Sequence, residues 1–251
     1  MTQPAGDRRL TETLAQTIDR LRSHQKPNRG APAYSRFVNR PLGRVIAAAG
    51  FRAGLTPNRV TAISGTLSLV GIALIATTRP TASLGIAVAV LLALGYAFDS
   101  ADGQLARLLG GGSAAGEWLD HVVDCAKISL LHLGVLLSLQ RTDVDRGWLL
   151  LPLAFVFVAN LFFFSFILTE LLTRTRRVGP APEKASSSVL RSLVVAPTDY
   201  GLLCVAFLIW GWTSGFLLVY GLLMLGTAGY VALGLPKWFR DMRSLDTRPT
   251  L

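Results

Sequence analysis

Residues 82–140 read ASLGIAVAVLLALGYAFDSADGQLARLLGGGSAAGEWLDHVVDCAKISLLHLGVLLSLQ. Two apolar runs flank the link Gly110-Gly111-Gly112-Ser113. Each run is long enough to cross a bilayer, which takes about 20 residues. Within or beside them stand Asp99, Asp102, Glu117, Asp120, Asp124 and Lys127. An acidic residue near the bilayer centre costs about 2.5–3.5 kcal/mol on insertion scales, so carboxylates here need a partner. Their spacing is helical. Asp99 and Asp102 are i, i+3, in line with Gly95 and Ala106; Asp120 and Asp124 are i, i+4, with Gly116 one turn earlier. Two antiparallel helices joined at the glycine-rich link bring both faces together at one end.

The rest of the chain fits that frame. Of 251 residues, 51% are hydrophobic and only 16% charged, against about 25% charged in a soluble domain. That excludes an ordinary soluble, disordered or collagen-like chain and predicts an all-α polytopic membrane protein. Apolar segments at 58–77, 82–105, 117–140, 147–172, 198–211 and 214–234 give six transmembrane helices. The fifth is short for a crossing unless it starts nearer Leu193. Thr56 is the expected N-cap of the first span, with Pro57 at its first position.

Before the spans, residues 1–33 read as a flexible cytoplasmic N-terminus with a short helix near 9–21. Residues 34–53 read as an amphipathic juxtamembrane helix, where Phe37, Leu42, Val45 and Phe51 mix with Arg36, Arg40, Arg44 and Arg52. Such a helix suits an anionic membrane surface or the protein's own flank. Residues 54–235 read as the six-helix transmembrane domain and 236–251 as a basic cytoplasmic tail.

The net charge of +10 could suggest nucleic acid, but the charge sits at the ends and between apolar runs, so no nucleic-acid partner is expected. With the N-terminus inside, 21 basic residues fall on the cytoplasmic side and only Arg79, Arg141 and Arg146 outside. The positive-inside rule then makes both termini cytoplasmic. Cys125 and Cys204 lie in apolar stretches and imply neither a disulfide framework nor a zinc site.

Four converging carboxylates repel one another unless a cation sits among them. Hard divalent ions such as Mg²⁺ take oxygen ligands and bridge phosphates, so one or two ions are expected at the membrane–cytoplasm boundary. Gly103 and Gly116 allow close approach, and Arg107 can donate to a phosphate in bidentate fashion. Lys127 reads as a neutralising partner on the Asp124 face, His121 first as an interfacial side chain turned away and second as a metal ligand beside Asp120, and Glu117 as a cytoplasm-facing residue at a helix N-terminus. Two other readings use the same carboxylates: a cation-coupled membrane transporter and a structural ion-pair network.

Written out, Asp99-Ser-Ala-Asp102-Gly103-Gln-Leu-Ala106-Arg107, eight residues, then Gly116-Glu-Trp-Leu-Asp120-His-Val-Val-Asp124 matches D-x2-D-G-x2-A-R-x8-G-x3-D-x3-D at every fixed position. This resembles the signature of the CDP-alcohol phosphotransferase (CDP-alcohol phosphatidyltransferase) family, and Pro57-Asn58-Arg-Val-Thr61 resembles the usual start of its first helix. The resemblance implies transfer of a substituted phosphate from a CDP-alcohol, foremost CDP-diacylglycerol, to an alcohol with release of CMP, in phospholipid synthesis. A CDP-linked inositol, choline or ethanolamine is the alternative donor. By the same resemblance, Asp99, Asp102, Asp120 and Asp124 hold metal, Mg²⁺ or Mn²⁺ and two ions, and Asp124 is also the base. Gly103, Ala106, Arg107, Gly116, Asn58 and Thr61 line the nucleotide and diphosphate. Lys127, Arg174 and Arg191 are the candidates for binding the acceptor. A homodimer with its active site at the cytoplasmic face is implied. The acceptor itself is left open: Cys125 stands where inositol-phosphate enzymes often carry Arg.

Overall fold

The computed structural model describes residues 12–23, 32–176, 192 and 195–246, which form eight α-helices and no strand. In chain order these are α1 (Leu14–Ser23), α2 (Arg40–Arg52), α3 (Pro57–Thr77), α4 (Ala82–Leu108), α5 (Ala114–Leu139), α6 (Leu150–Arg176), α7 (Tyr200–Ala206) and α8 (Thr213–Asp246). Five are long and apolar enough to cross a membrane: α3, α4, α5, α6 with its first 3₁₀ turn, and α8. The chain is an all-α polytopic membrane protein. Where a sixth crossing was expected at 198–211, the apolar helical stretch covers only Tyr200–Ile209. Asp199 fixes its start by accepting the Gly201 N–H at 3.0 Å, and the chain tightens into a 3₁₀ turn at Phe207–Ile209.

Side-chain caps place the helix starts around the carboxylates. Thr56 Oγ1 accepts the Arg59 N–H at 3.4 Å, with Pro57 next in the chain, as expected. Ser113 Oγ accepts the Gly116 N–H at 3.0 Å, so α5 begins at Ala114, a turn before the expected 117. Between α4 and α5, Gly110 and Gly111 take φ of +103° and +133°, a turn that other residues rarely adopt. At the far end, α8 runs through Pro236 to Asp246, past the expected 234.

Helix α3 packs against both α4 and α5. Gly95 permits the first contact: a Cβ there would lie 2.3 Å from Ser68 Oγ. Ser64 Oγ donates to the Gly95 carbonyl across the same seam at 2.8 Å. Away from the carboxylates, Ile75, Leu92, Leu131, Val135, Trp210 and Tyr220 form one core. A second core joins Ala47, Ala48 and Phe51 of α2 to Val60, Ala101 and Leu105 of α3 and α4. One face of the amphipathic segment is therefore docked on the protein's flank. Its opposite face leaves Phe37, Leu42 and Val45 about half exposed. On α6 and α8, Phe157, Phe164, Leu218 and Leu225 point outward at 63–68% exposure, the apolar surface that a bilayer covers.

Of the N-terminal stretch, residues 1–11 and 24–31 lie outside the described residues. So do Arg191 and the last five residues.

Candidate active site

The four aspartates come together where α4 and α5 meet α3. Asp102 is buried, 5% exposed, and its Oδ2 accepts the Thr61 hydroxyl at 2.5 Å. Thr61 lies one helical turn past Pro57, so the capped start of α3 sets the orientation of Asp102. Asp99 sits one turn further into the bundle on α4, and Asp124 one turn further in than Asp120 on α5. Lys127 lies three residues beyond Asp124. Its side chain leans back along α5, as helical side chains do, and Nζ donates to Asp99 Oδ1 at 2.5 Å and pairs with Asp124 Oδ1 at 2.7 Å. Its third contact is Ser64 Oγ at 3.4 Å. Lys127 is itself only 4% exposed, so one buried ammonium offsets charge that would otherwise stand uncompensated between two carboxylates.

A cavity of about 670 Å³ opens beside them. All six residues expected on the nucleotide side, Asn58, Thr61, Gly103, Ala106, Arg107 and Gly116, line it, and Asp102 and Asp120 face the same space. Gly116 keeps its wall thin: a Cβ there would lie 3.0 Å from Asn58 Oδ1. At the rim, Arg174 Nη1 donates to Glu117 Oε1 at 2.6 Å and Nη2 to Glu170. Arg174, expected at the acceptor, therefore stands at the rim of this cavity and is held by two carboxylates. Lys127, the second acceptor candidate, is enclosed among the aspartates. Arg191, the third, lies outside the described residues.

His121 corrects the sequence reading. Rather than turning away, it lines the cavity, and Asp120, His121 and Asp124 bring one donor atom each within 4.8 Å of one another. The signal was present in the spacing, since His121 and Asp124 are i, i+3 and share a face. Oxygen donors from Asp102 and Asp120 beside an imidazole form a set that suits a hard or borderline divalent ion. These residues fit the divalent metal that the carboxylate pattern requires.

Residues 54–232 match the family model for CDP-alcohol phosphatidyltransferase. No curated protein sequence matches the chain. Among solved structures, phosphatidylinositol phosphate synthase (PgsA1) of Mycobacterium tuberculosis with CDP-DAG bound is similar at 20% identity and a TM-score of 0.55, over 85% of this chain and 96% of that one. The same enzyme in complex with manganese and citrate is similar at 22% identity and a TM-score of 0.51, over 82% and 89%. At these identities the likeness speaks to the fold, and the family model, which spans well over half of the chain, speaks to the chemistry. The chain belongs to the CDP-alcohol phosphatidyltransferase family, membrane transferases that pass a substituted phosphate from a CDP-alcohol to an alcohol in phospholipid biosynthesis and release CMP.

Proposed function

We propose that this protein transfers a phosphatidyl group from CDP-diacylglycerol to an alcohol, in a site formed by the α3–α4–α5 junction. The observation that carries this reading is the shared cavity: two aspartates of the signature and all six nucleotide-side residues face one space of about 670 Å³. A lipid donor is favoured by what adjoins it. An apolar cleft lined by Phe155, Phe162, Phe163 and Phe166 runs alongside α5, and the Phe163 ring lies 6.4 Å from that of His121. Acyl chains can leave the polar cavity along this surface. The similar mycobacterial synthase with CDP-DAG bound supports the same donor.

In this mechanism Asn58, Thr61, Gly103, Ala106 and Gly116 seat the cytidine and diphosphate, and Arg107 donates to the phosphate oxygens. Asp99, Asp102, Asp120 and Asp124 would provide the carboxylates that hold two divalent ions, Mg²⁺ or Mn²⁺. A metal held by these carboxylates would supply charge neutralisation for the diphosphate and for the departing CMP. Asp124 takes the proton of the acceptor hydroxyl. The acceptor oxygen forms a bond to the phosphorus that carries the diacylglycerol, the bond from that phosphorus to the bridging oxygen breaks, and CMP leaves with the electron pair.

The positive-inside pattern puts this site and both termini at the cytoplasmic face, and residues 54–235 form the catalytic unit of a homodimer. The test is CMP release by the purified protein in lipid nanodiscs with Mn²⁺, CDP-diacylglycerol and one of glycerol phosphate, inositol phosphate, inositol or serine. Metal-dependent release with one acceptor supports the reading. Release only from CDP-choline, CDP-ethanolamine or CDP-inositol overturns the lipid donor.

A further inference from the structure

At the start of α7, one buried carboxylate serves two helices at once. Asp199, 2% exposed, accepts the Gly201 N–H through Oδ1 at 3.0 Å and the Ser35 N–H through Oδ2 at 3.0 Å, across 164 residues of sequence. The Tyr34 N–H is a further donor to it. Residues 34 and 35 lie in the helical stretch that continues into α2, so Asp199 caps that stretch and α7 together. A serine in its place, shorter and with a single oxygen, would cap α7 alone.

This latch fixes the residue that follows it. The Tyr34 ring lies over Gly201 and leaves no room there for a Cβ. Tyr96 stacks on Tyr34 at 6.3 Å and meets the Tyr200 ring edge-on at 5.3 Å. Tyr96 itself stands one turn before Asp99 on α4. The ionisable groups around the Tyr200 hydroxyl are Cys204, Lys127, Asp124 and Asp99. That hydroxyl is buried and has no hydrogen-bond partner, an arrangement that costs stability for as long as it stays unpaired. Lys127 takes one oxygen of Asp99 and one of Asp124, which leaves the second oxygen of each.

We propose that Tyr200 is a positioning residue for the transfer reaction, set in place by Asp199, and that its hydroxyl donates to the carboxylates held by Lys127 once the substrates are bound. Hydrogen bonds of this kind are often unmade in the empty site and tighten in the complex. The inference rests on reading these carboxylates as the reacting site. It also makes the segment around Tyr34 and Ser35, which precedes the family match at 54–232, part of the working enzyme, because that segment holds Asp199 from the far side.

The experiment measures CMP release in lipid nanodiscs against CDP-diacylglycerol concentration, with Mn²⁺ and whichever of glycerol phosphate, inositol phosphate, inositol or serine supports turnover. The thermal unfolding transition of each protein is recorded beside it. Tyr200→Phe keeps the ring and removes only the hydroxyl. It is expected to lower kcat about 10- to 100-fold, to keep KM for CDP-diacylglycerol within about threefold, and to unfold at or above the wild-type temperature. A residue with a merely structural role would lose stability and turnover together.

Asp199→Ser keeps the α7 cap and loses the latch. It is expected to lower kcat to a similar extent, and the double variant is expected to be no slower than the slower single one, because both changes remove the same contact. Normal kcat in Tyr200→Phe, a loss of kcat with a lower unfolding temperature in that variant, or losses that multiply in the double variant each overturn the inference. If Asp199→Ser fails to fold, Tyr200→Phe decides alone. No release by wild type with any of the four acceptors overturns the functional reading itself.

Discussion

Thr61→Val removes one hydroxyl and keeps the shape of the side chain, which makes it the sharpest probe of how the first membrane helix governs the site. The hydroxyl has a single proton and two acceptors within reach, Asp102 Oδ2 at 2.5 Å and the Pro57 carbonyl at 3.2 Å. The shorter contact takes the proton. Asp102 is 5% exposed, so little water can replace the lost donor. A hydrogen bond to a charged group contributes about 1.5–3 kcal/mol, equivalent to a factor of about 10 to 150. Freed from Thr61, Asp102 is no longer held toward the cavity. CMP release at subsaturating donor is expected to fall by that factor, with Mn²⁺ affinity falling alongside. Thr61→Ser keeps the donor and is expected to stay within about threefold of wild type in both measurements. Full activity in Thr61→Val, or an equal loss in Thr61→Ser, would refute the assignment of Thr61 as the residue that orients Asp102.

Four further outcomes follow from the same geometry. Asp102→Asn and Asp120→Asn are each expected to lower CMP release by more than about 100-fold while the protein still inserts and elutes as a single species; near-normal turnover in either would contradict the site. Gly95→Leu drives a side chain into Ser68 and the α3 backbone. It is expected to lower stability by about 1–3 kcal/mol, read as an earlier thermal unfolding transition in detergent, and an unchanged transition would show that α3 and α4 do not meet there. A nitroxide at position 42, in a background lacking Cys125 and Cys204, is expected to be more accessible to oxygen than to a water-soluble relaxer, because Leu42 lies on the exposed apolar face of α2. The reverse ratio would remove that face from the bilayer. A green fluorescent protein fused after residue 251 is expected to fluoresce, and a dark fusion together with an active alkaline phosphatase fusion would reverse the topology.

Much of this arrangement could be read from residue order alone, because the strongest signals were local. Thr56-Pro57 marked the start of α3 through cap chemistry, and the i, i+3 and i, i+4 aspartates marked one face on each of two helices. The glycines of the link marked the turn that sets those faces opposite each other. What stayed hidden depends on partners far apart in the chain. Lys127 could be paired with Asp124 by spacing, yet its bonds to Asp99 and Ser64 cross 28 and 63 residues. Arg174 read as an acceptor residue because its tie to Glu117 joins α6 to α5 and forms only on packing, beside an i, i+4 pair with Glu170 inside α6. The fifth apolar segment, already short for a crossing by its sequence, shows a change that composition does not carry. Apolar composition continues past Ile209, but the backbone has already left the helix in a 3₁₀ turn, and hydropathy does not register a change in backbone geometry. His121 was set aside although its i, i+3 spacing to Asp124 already put it on the same face, because a single imidazole beside an aspartate reads first as an interfacial side chain.

The central claim is that the carboxylate junction of α3, α4 and α5 catalyses metal-dependent displacement of CMP from CDP-diacylglycerol. Its most direct test is CMP release in lipid nanodiscs by wild type and Asp124→Ala side by side, with Mn²⁺ present and then removed by chelation. The account expects release by wild type with Mn²⁺ and an acceptor alcohol, and none by Asp124→Ala or after chelation. Turnover that persists in Asp124→Ala, or that is indifferent to the metal, would contradict it.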